Sequence, residues 1–377
     1  MMLGKTSLKI RGFRLMVSVL FILPLLAGAA GRAAASGNSG AVYTMTNSAT
    51  GNAIQEYERS GDGTLTPGGT FSTGGLGTGT GLGSQEAIAL SSDGAWLFAV
   101  NAGSNEISSF MVQPGQLTLV DKIASGGSDP ISLAYYPGLL YVLNAGNGGN
   151  ITGFWVSPDG RLSHIPGSTR LLSNQGVGSA PSPEEISFNL NGELLVVTEK
   201  GSNRIDTYAV VNGLASRPQV HASSGPAPYG FGFSKNNTLI VSEAAQSAAS
   251  SYKVSDDNFR VISGSIIDHQ AAACWLVVTA NRDFAYAANA ASGNLSGYRV
   301  SSNGRLTLLN ADGITGITGA GSHPIDMGLS SDNSFLYVLD AGTQMISAFR
   351  VNTDGSLGFI ANFNASLGAG ISGLAAR

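Results

Sequence analysis

Tyr337-Val338-Leu339-Asp340 is one copy of a phrase that recurs along the chain: a short apolar strand ending on a small polar or acidic residue. The other copies are Tyr43-Thr44-Met45-Thr46-Asn47, Phe98-Ala99-Val100-Asn101, Tyr141-Val142-Leu143-Asn144, Val196-Val197-Thr198-Glu199, Ile240-Val241-Ser242-Glu243 and Tyr286-Ala287-Ala288-Asn289. The seven copies repeat every 40–55 residues or so, the spacing of a β-propeller with four strands per blade.

Each unit reads the same way. An alternating first strand, such as Ala87-Ile88-Ala89-Leu90, turns on Ser92-Asp93-Gly94 into the recurring phrase. A third strand, such as Ile107–Val112, leads to a fourth, such as Leu117–Val120. Between them several units carry a pair such as Asp62-Gly63, Asp159-Gly160, Asn303-Gly304 or Asp354-Gly355; these pairs accept positive φ and close hairpins. No segment holds a long 3.6-residue period, so helices are not expected. The first copy of the phrase is a second strand, and the chain ends on a first-type strand, Ile371-Ser372-Gly373-Leu374-Ala375. The expectation is therefore an all-β, seven-bladed β-propeller over 36–377. Each blade has four antiparallel strands, and the C-terminal strand pairs with the N-terminal blade, removing two open sheet edges.

Composition agrees. Of 377 residues, 12% are charged, 43% are hydrophobic and 52 are Gly. Disorder is excluded by the apolar share, and the many glycines serve turns. A formal net charge of -4 leaves no basic footprint for nucleic acid. The single cysteine, Cys274, excludes an intrachain disulfide and reads as a small buried hydrophobe.

Residues 1–35 read as a signal peptide: Lys5, Lys9, Arg11 and Arg14, then the apolar run Leu15–Ala27, then Ala33-Ala34-Ala35 as a cleavage motif. The run is short for a stable membrane anchor. An exported, periplasmic or secreted protein is expected.

In a propeller, the loops entering first strands and leaving second strands share one face. Polar side chains from several blades converge there, which is where a small-molecule or carbohydrate ligand is expected. The entering loops bring Glu184, Glu185, Tyr229, His269 and His323; the exits bring Glu199, Lys200, Arg204 and Glu243. Crowded carboxylates raise one another's pKa or take up a cation, so Glu184, Glu185, Glu199 and Glu243 read as an acid/base pair, as a divalent-cation site, or as caps for loop N–H groups. No cofactor is required by the sequence. His269 and His323 suit acid/base or ligand roles. The Gly-rich run Gly74–Gly83 lacks the Lys and following helix of a phosphate loop and reads as a long flexible loop on this face, a candidate lid.

The repeat phrase and its turns, as in Leu336-Tyr337-Val338-Leu339-Asp340-Ala341-Gly342, Ile346–Val351 and Asp354-Gly355-Ser356-Leu357, resemble the lactonase-type seven-bladed propellers, the group of bacterial 6-phosphogluconolactonase and fungal carboxymuconate cyclase. The resemblance implies a histidine before the first strand of the fourth blade and an arginine after its second. Here Ser179-Ala180-Pro181-Ser182-Pro183-Glu184-Glu185 puts glutamates at the histidine's place, while Gly201-Ser202-Asn203-Arg204-Ile205 keeps the arginine. A phosphorylated lactone calls for several cations, and this mouth offers Lys200 and Arg204. Two functions remain open. One is a lactonase-like hydrolase or cyclase acting on a small sugar lactone or related ring, with Glu184 or Glu185 as base, Arg204 or a metal at the oxyanion, and His269 as a further acid/base candidate. The other is a non-catalytic scaffold binding a glycan, a cell-wall component or a protein. The sequence specifies no oligomeric state.

Overall fold

The computed structural model describes residues 1–5, 39–178, 181–255, 258–365 and 367–377. The expected signal peptide falls outside the described residues, apart from its first five. The unit Ala35–Arg377 contains seven antiparallel sheets, each built around one copy of the phrase. Among the described residues the one helical segment is a single 3-10 turn, Lys235–Asn237.

The first strands are Ile88–Leu90 in blade 2, Pro130–Tyr136 in blade 3, Pro183–Phe188 in blade 4, Pro228–Ser234 in blade 5, Ala273–Val278 in blade 6 and Pro324–Leu329 in blade 7. In blade 1 that place is taken by the C-terminal strand, Ser372–Ala376, which pairs antiparallel with Gly40–Met45 through Val42–Ala376, Tyr43–Ala375 and Thr44–Leu374. Blades 3, 4 and 6 break their outer edge into two short strands each, such as Leu162–His164 and Arg170–Leu171.

The recurring phrase is buried along its whole length in blades 3 to 7. Its large residue faces the next blade. Tyr141 donates its hydroxyl to the carbonyl of Gly213 at 2.9 Å, Tyr286 to Gly355 at 2.8 Å and Tyr337 to Gly63 at 2.9 Å. Each acceptor is the glycine of the hairpin turn joining the third and fourth strands of the following blade. In blades 2 and 5 a third-strand serine makes the same link: Ser109 to Gly160 and Ser251 to Gly304, both at 2.7 Å. The turn also rests on an aromatic ring. A Cβ on Gly355, whose φ is +91°, would lie 2.4 Å from the Phe284 ring. The turn pair thus serves both the hairpin and the joint between blades.

Gly355→Ala is expected to lower stability by about 1–3 kcal/mol, through strain at positive φ and the clash with Phe284. Gly358→Ala, three residues on, would meet nothing nearer than 3.8 Å and should stay within about 0.5 kcal/mol. Urea unfolding of the two variants checks the difference.

Candidate active site

Five blades enter their first strand through a residue in the left-handed region: Asp129 (φ 55°), Ser182 (49°), Ala227 (59°), Ala272 (60°) and His323 (50°). This conformation turns each carbonyl toward the backbone N–H just past the second strand. Lys200 N–H donates to Ser182 at 2.9 Å, and Ala145, Ala244, Ala290 and Ala341 do the same in their blades. A one-residue bulge follows. In blade 4 Pro183 pairs with Glu199 and Glu185 with Thr198, leaving Glu184 as the extra residue. Bulges of this kind re-aim side chains beside active sites.

Glu184 lies in an upper pocket of about 450 Å³, lined among others by Gly83, Asp129, Asn147, Ser182 and Lys200. It is 3% exposed, and Lys200 Nζ stands 2.5 Å from its Oε1. Burial pushes the Glu184 carboxyl up to about 7, against the opposing pull of the Lys200 charge and the Tyr229 hydroxyl. The same ammonium sits 5.0 Å from the centre of the Tyr229 ring, which packs edge-on against Trp275. Cys274, beneath them, is pushed up to about 12, chiefly by burial, so it is not a thiolate nucleophile.

The floor of this pocket is a crossing segment, Leu82–Glu86. Leu82 N–H donates to Ser372 Oγ in blade 1 at 3.1 Å, and Ser84 Oγ donates to Ile131 O in blade 3 at 2.8 Å. Gln85 N–H donates to Glu184 O in blade 4 at 3.1 Å. The Tyr229 hydroxyl of blade 5 donates to Gly83 O. In blade 6 the Trp275 indole donates to Ser84 O at 2.9 Å, and the Gln85 amide exchanges two bonds with Leu276 at 2.9 and 2.7 Å. One loop of blade 2 thus bonds to five other blades across the axis. Below it lies a second chamber of about 390 Å³, lined among others by Gln85, Glu86, Glu185, Phe233 and Arg282. Neighbours in sequence, Glu184 and Glu185 face opposite compartments.

The four glutamates expected at one mouth therefore occupy separate environments. Glu199 is fully buried and takes the N–H of Ser173 at 2.9 Å and the hydroxyls of Ser173 and Ser202. Glu243, also fully buried, takes Gly225 N–H at 2.7 Å, Ser250 Oγ at 2.5 Å and Ser265 Oγ at 2.6 Å. Both carboxylates tie loops to their own blades and line neither compartment. Arg204, His269 and His323 are exposed and also lie outside both linings; His323 Nδ1 is 3.1 Å from Ala290 O. Lys200 takes the place expected of Arg204 beside the glutamate. Tyr229 is buried and forms part of the wall behind Lys200. The Gly-rich run Gly74–Gly83 is pinned rather than free: Gly77 and Gly79 N–H donate to Ser48 O and Asn47 O, both at 2.8 Å, and Asn47 Nδ2 donates to Thr80 O at 2.7 Å. It leads into the crossing segment. Among the described residues no group of three or more His, Cys, Asp or Glu is arranged to hold a metal ion.

The model of the family described as "Lactonase, 7-bladed beta-propeller" matches residues 41–241 and 233–371. The chain belongs to this lactonase propeller family. No protein of curated function matches its sequence. Among solved structures, this lactonase propeller is similar to a protein from Lactobacillus plantarum (TM-score 0.72, 19% identity, covering 88% of this chain and 98% of that one). A 6-phosphogluconolactonase-like protein of Bacteroides fragilis gives 0.68 and 17%, covering 89% and 97%. The periplasmic gluconolactonase of Pseudomonas aeruginosa gives 0.63 and 15%, covering 87% and 97%. At these identities the likeness establishes the fold.

Two outcomes follow from the buried acids. Glu243→Gln would set an amide N–H₂ among three donors and should cost about 1–3 kcal/mol, seen as a lower unfolding midpoint. Glu86 and Asp340 are pushed by burial up to about 7, as Glu184 is, and Asp206 up to about 8 by burial and then the Glu199 charge. In the unfolded chain such groups titrate near about 4. Between these values the folded protein holds more protons than the unfolded chain, so stability falls as pH rises from about 4.5 to about 8. Thermal midpoints measured across that window should decline toward alkaline pH.

Proposed function

We propose that this protein is an exported hydrolase of small, uncharged sugar lactones, acting in the upper pocket. The observation that carries the proposal is a buried carboxyl, Glu184, poised near neutrality beside the Lys200 ammonium in a pocket of ligand size. General bases work best with a pKa near the operating pH. Ionised Glu184 takes a proton from water as its oxygen adds to the lactone carbonyl. The Lys200 ammonium faces the oxyanion that forms. Collapse breaks the ring C–O bond, the leaving alkoxide takes the proton back from Glu184, and a hydroxy acid results. The family membership agrees with this reaction class, and Lys200, the one cation lining the pocket among the described residues, disfavours a phosphorylated ring, whose dianion needs several donors. Arg204, exposed on its strand, does not contribute to this scheme. Residues 1–35 supply the export signal.

The second reading is a non-catalytic glycan-binding scaffold. It is favoured by a lining that has no histidine among the described residues.

Hydrolysis of a γ-aldonolactone by the purified mature protein separates the two. The expected kcat/KM rises with pH through about 7 as Glu184 ionises, and Glu184→Gln lowers kcat by about 10²–10⁴ while the fold survives. Saturable binding of the sugar with no turnover above the background rate would instead establish the scaffold reading.

A further inference from the structure

The lower chamber is separated from the upper pocket by the Leu82–Glu86 crossing and is not used by the proposed reaction. Its closed end carries acceptors without donors. Glu185 is 1% exposed. Its Oε2 takes the N–H of Phe231 at 2.7 Å, while its Oε1 has no hydrogen-bond partner among the described residues and the side chain lines the chamber. The Glu86 carboxylate, also in the lining, has no hydrogen-bond partner there either. Asp326, set behind them, is satisfied by the N–H groups of Met327 at 2.8 Å and Leu374 at 3.0 Å.

Among the described residues no lysine, arginine or histidine forms an ion pair with the carboxyls at this end. The charges acting on Glu185 are Glu86 and Asp326, and the charge acting on Asp326 is Glu86. Arg282 lines the chamber as well, but its Nη1 is bound to Phe233 O at 2.7 Å. The apolar side chains of Phe188, Phe231, Phe233, Val278 and Leu329 also line the chamber. The metal-capable side chains here do not form a set able to hold an ion, so the complementary ligand must bring its own N–H donors. It must also bring apolar bulk to fill the shaft.

We propose that the lower chamber is a second binding site, selective for a small organic ammonium ion with an apolar body, entering from the face opposite the upper pocket. The ammonium group takes the free oxygens of ionised Glu86 as a charge-assisted hydrogen bond, beside the Glu185 carboxyl that burial and the neighbouring Glu86 and Asp326 charges hold well above the ordinary range, and the alkyl or aryl body lies against the phenylalanines, burying apolar surface. A volume of about 390 Å³ suits a molecule of this size.

The test is calorimetric titration of the mature protein with n-butylammonium chloride at pH 8, with n-butanol and sodium chloride as comparison titrants. Saturable binding of n-butylammonium, with no binding of the other two, is expected. Glu86→Gln should weaken it at least tenfold, and Glu184→Gln in the upper pocket should leave it unchanged. Equal binding of n-butanol, no binding of n-butylammonium, or retention of full affinity in a folded Glu86→Gln protein would overturn the proposal. The comparison of n-butylammonium with n-butanol uses the unaltered protein, so it decides the matter even if a variant fails to fold.

Discussion

The seating of the hairpin tips of blades 1, 3, 4, 6 and 7 on the blade before each is the contact on which the ring depends. A glycine at the tip, such as Gly63 or Gly355, lets the backbone come against an aromatic ring and accept a tyrosine hydroxyl. A side chain there would clash, and a different turn would point the carbonyl away. The ring is then closed by hydrogen bonding rather than by a covalent clasp, since the last strand pairs with the first blade. With the blades fixed from outside, their first strands can approach the axis while carrying irregular backbone and buried acids. Such features cost free energy locally and survive where the surroundings over-determine them.

What occupies the axis follows from that freedom. Leu82–Glu86 has no sheet partner of its own for most of its length, so its polar groups must be satisfied by other blades. Five of them supply donors and acceptors, and the resulting bridge converts a channel into two blind compartments. The bulge in blade 4 then distributes two consecutive glutamates between them. One meets an ammonium and becomes a candidate base; the other meets other acids and stays unpaired on one oxygen. Their different surroundings separate the roles of two identical side chains.

Buried carboxyls elsewhere have a different use. Glu199 and Glu243 end the recurring phrase in blades 4 and 5, where other blades have Asn or Asp, and each gathers serine hydroxyls and a loop N–H. Charge-assisted bonds to fixed loops hold the exit side of these blades in place. They are supports beneath the pocket face, and their acidity serves geometry.

The sequence by itself determined the number of blades, their strand order and the closure, because a repeated phrase with fixed turn residues is a local pattern and each copy confirms the others. It also marked the face where polar residues gather, since strand phase alone assigns entry and exit loops to one side. It did not distinguish Glu184 from Glu199 or Glu243: all are acids at strand ends, and nothing within a few residues shows whether serines or a cavity surround them. Nor did it reveal that the end of the Gly-rich stretch crosses the axis, that Lys200 rather than Arg204 meets the glutamate, or that His269 and His323 stay in solvent. Those outcomes rest on hydrogen bonds between residues as far apart as Gln85 and Leu276, on a one-residue bulge, and on burial. The tertiary structure decided them because only the assembled ring sets which blades share the axis.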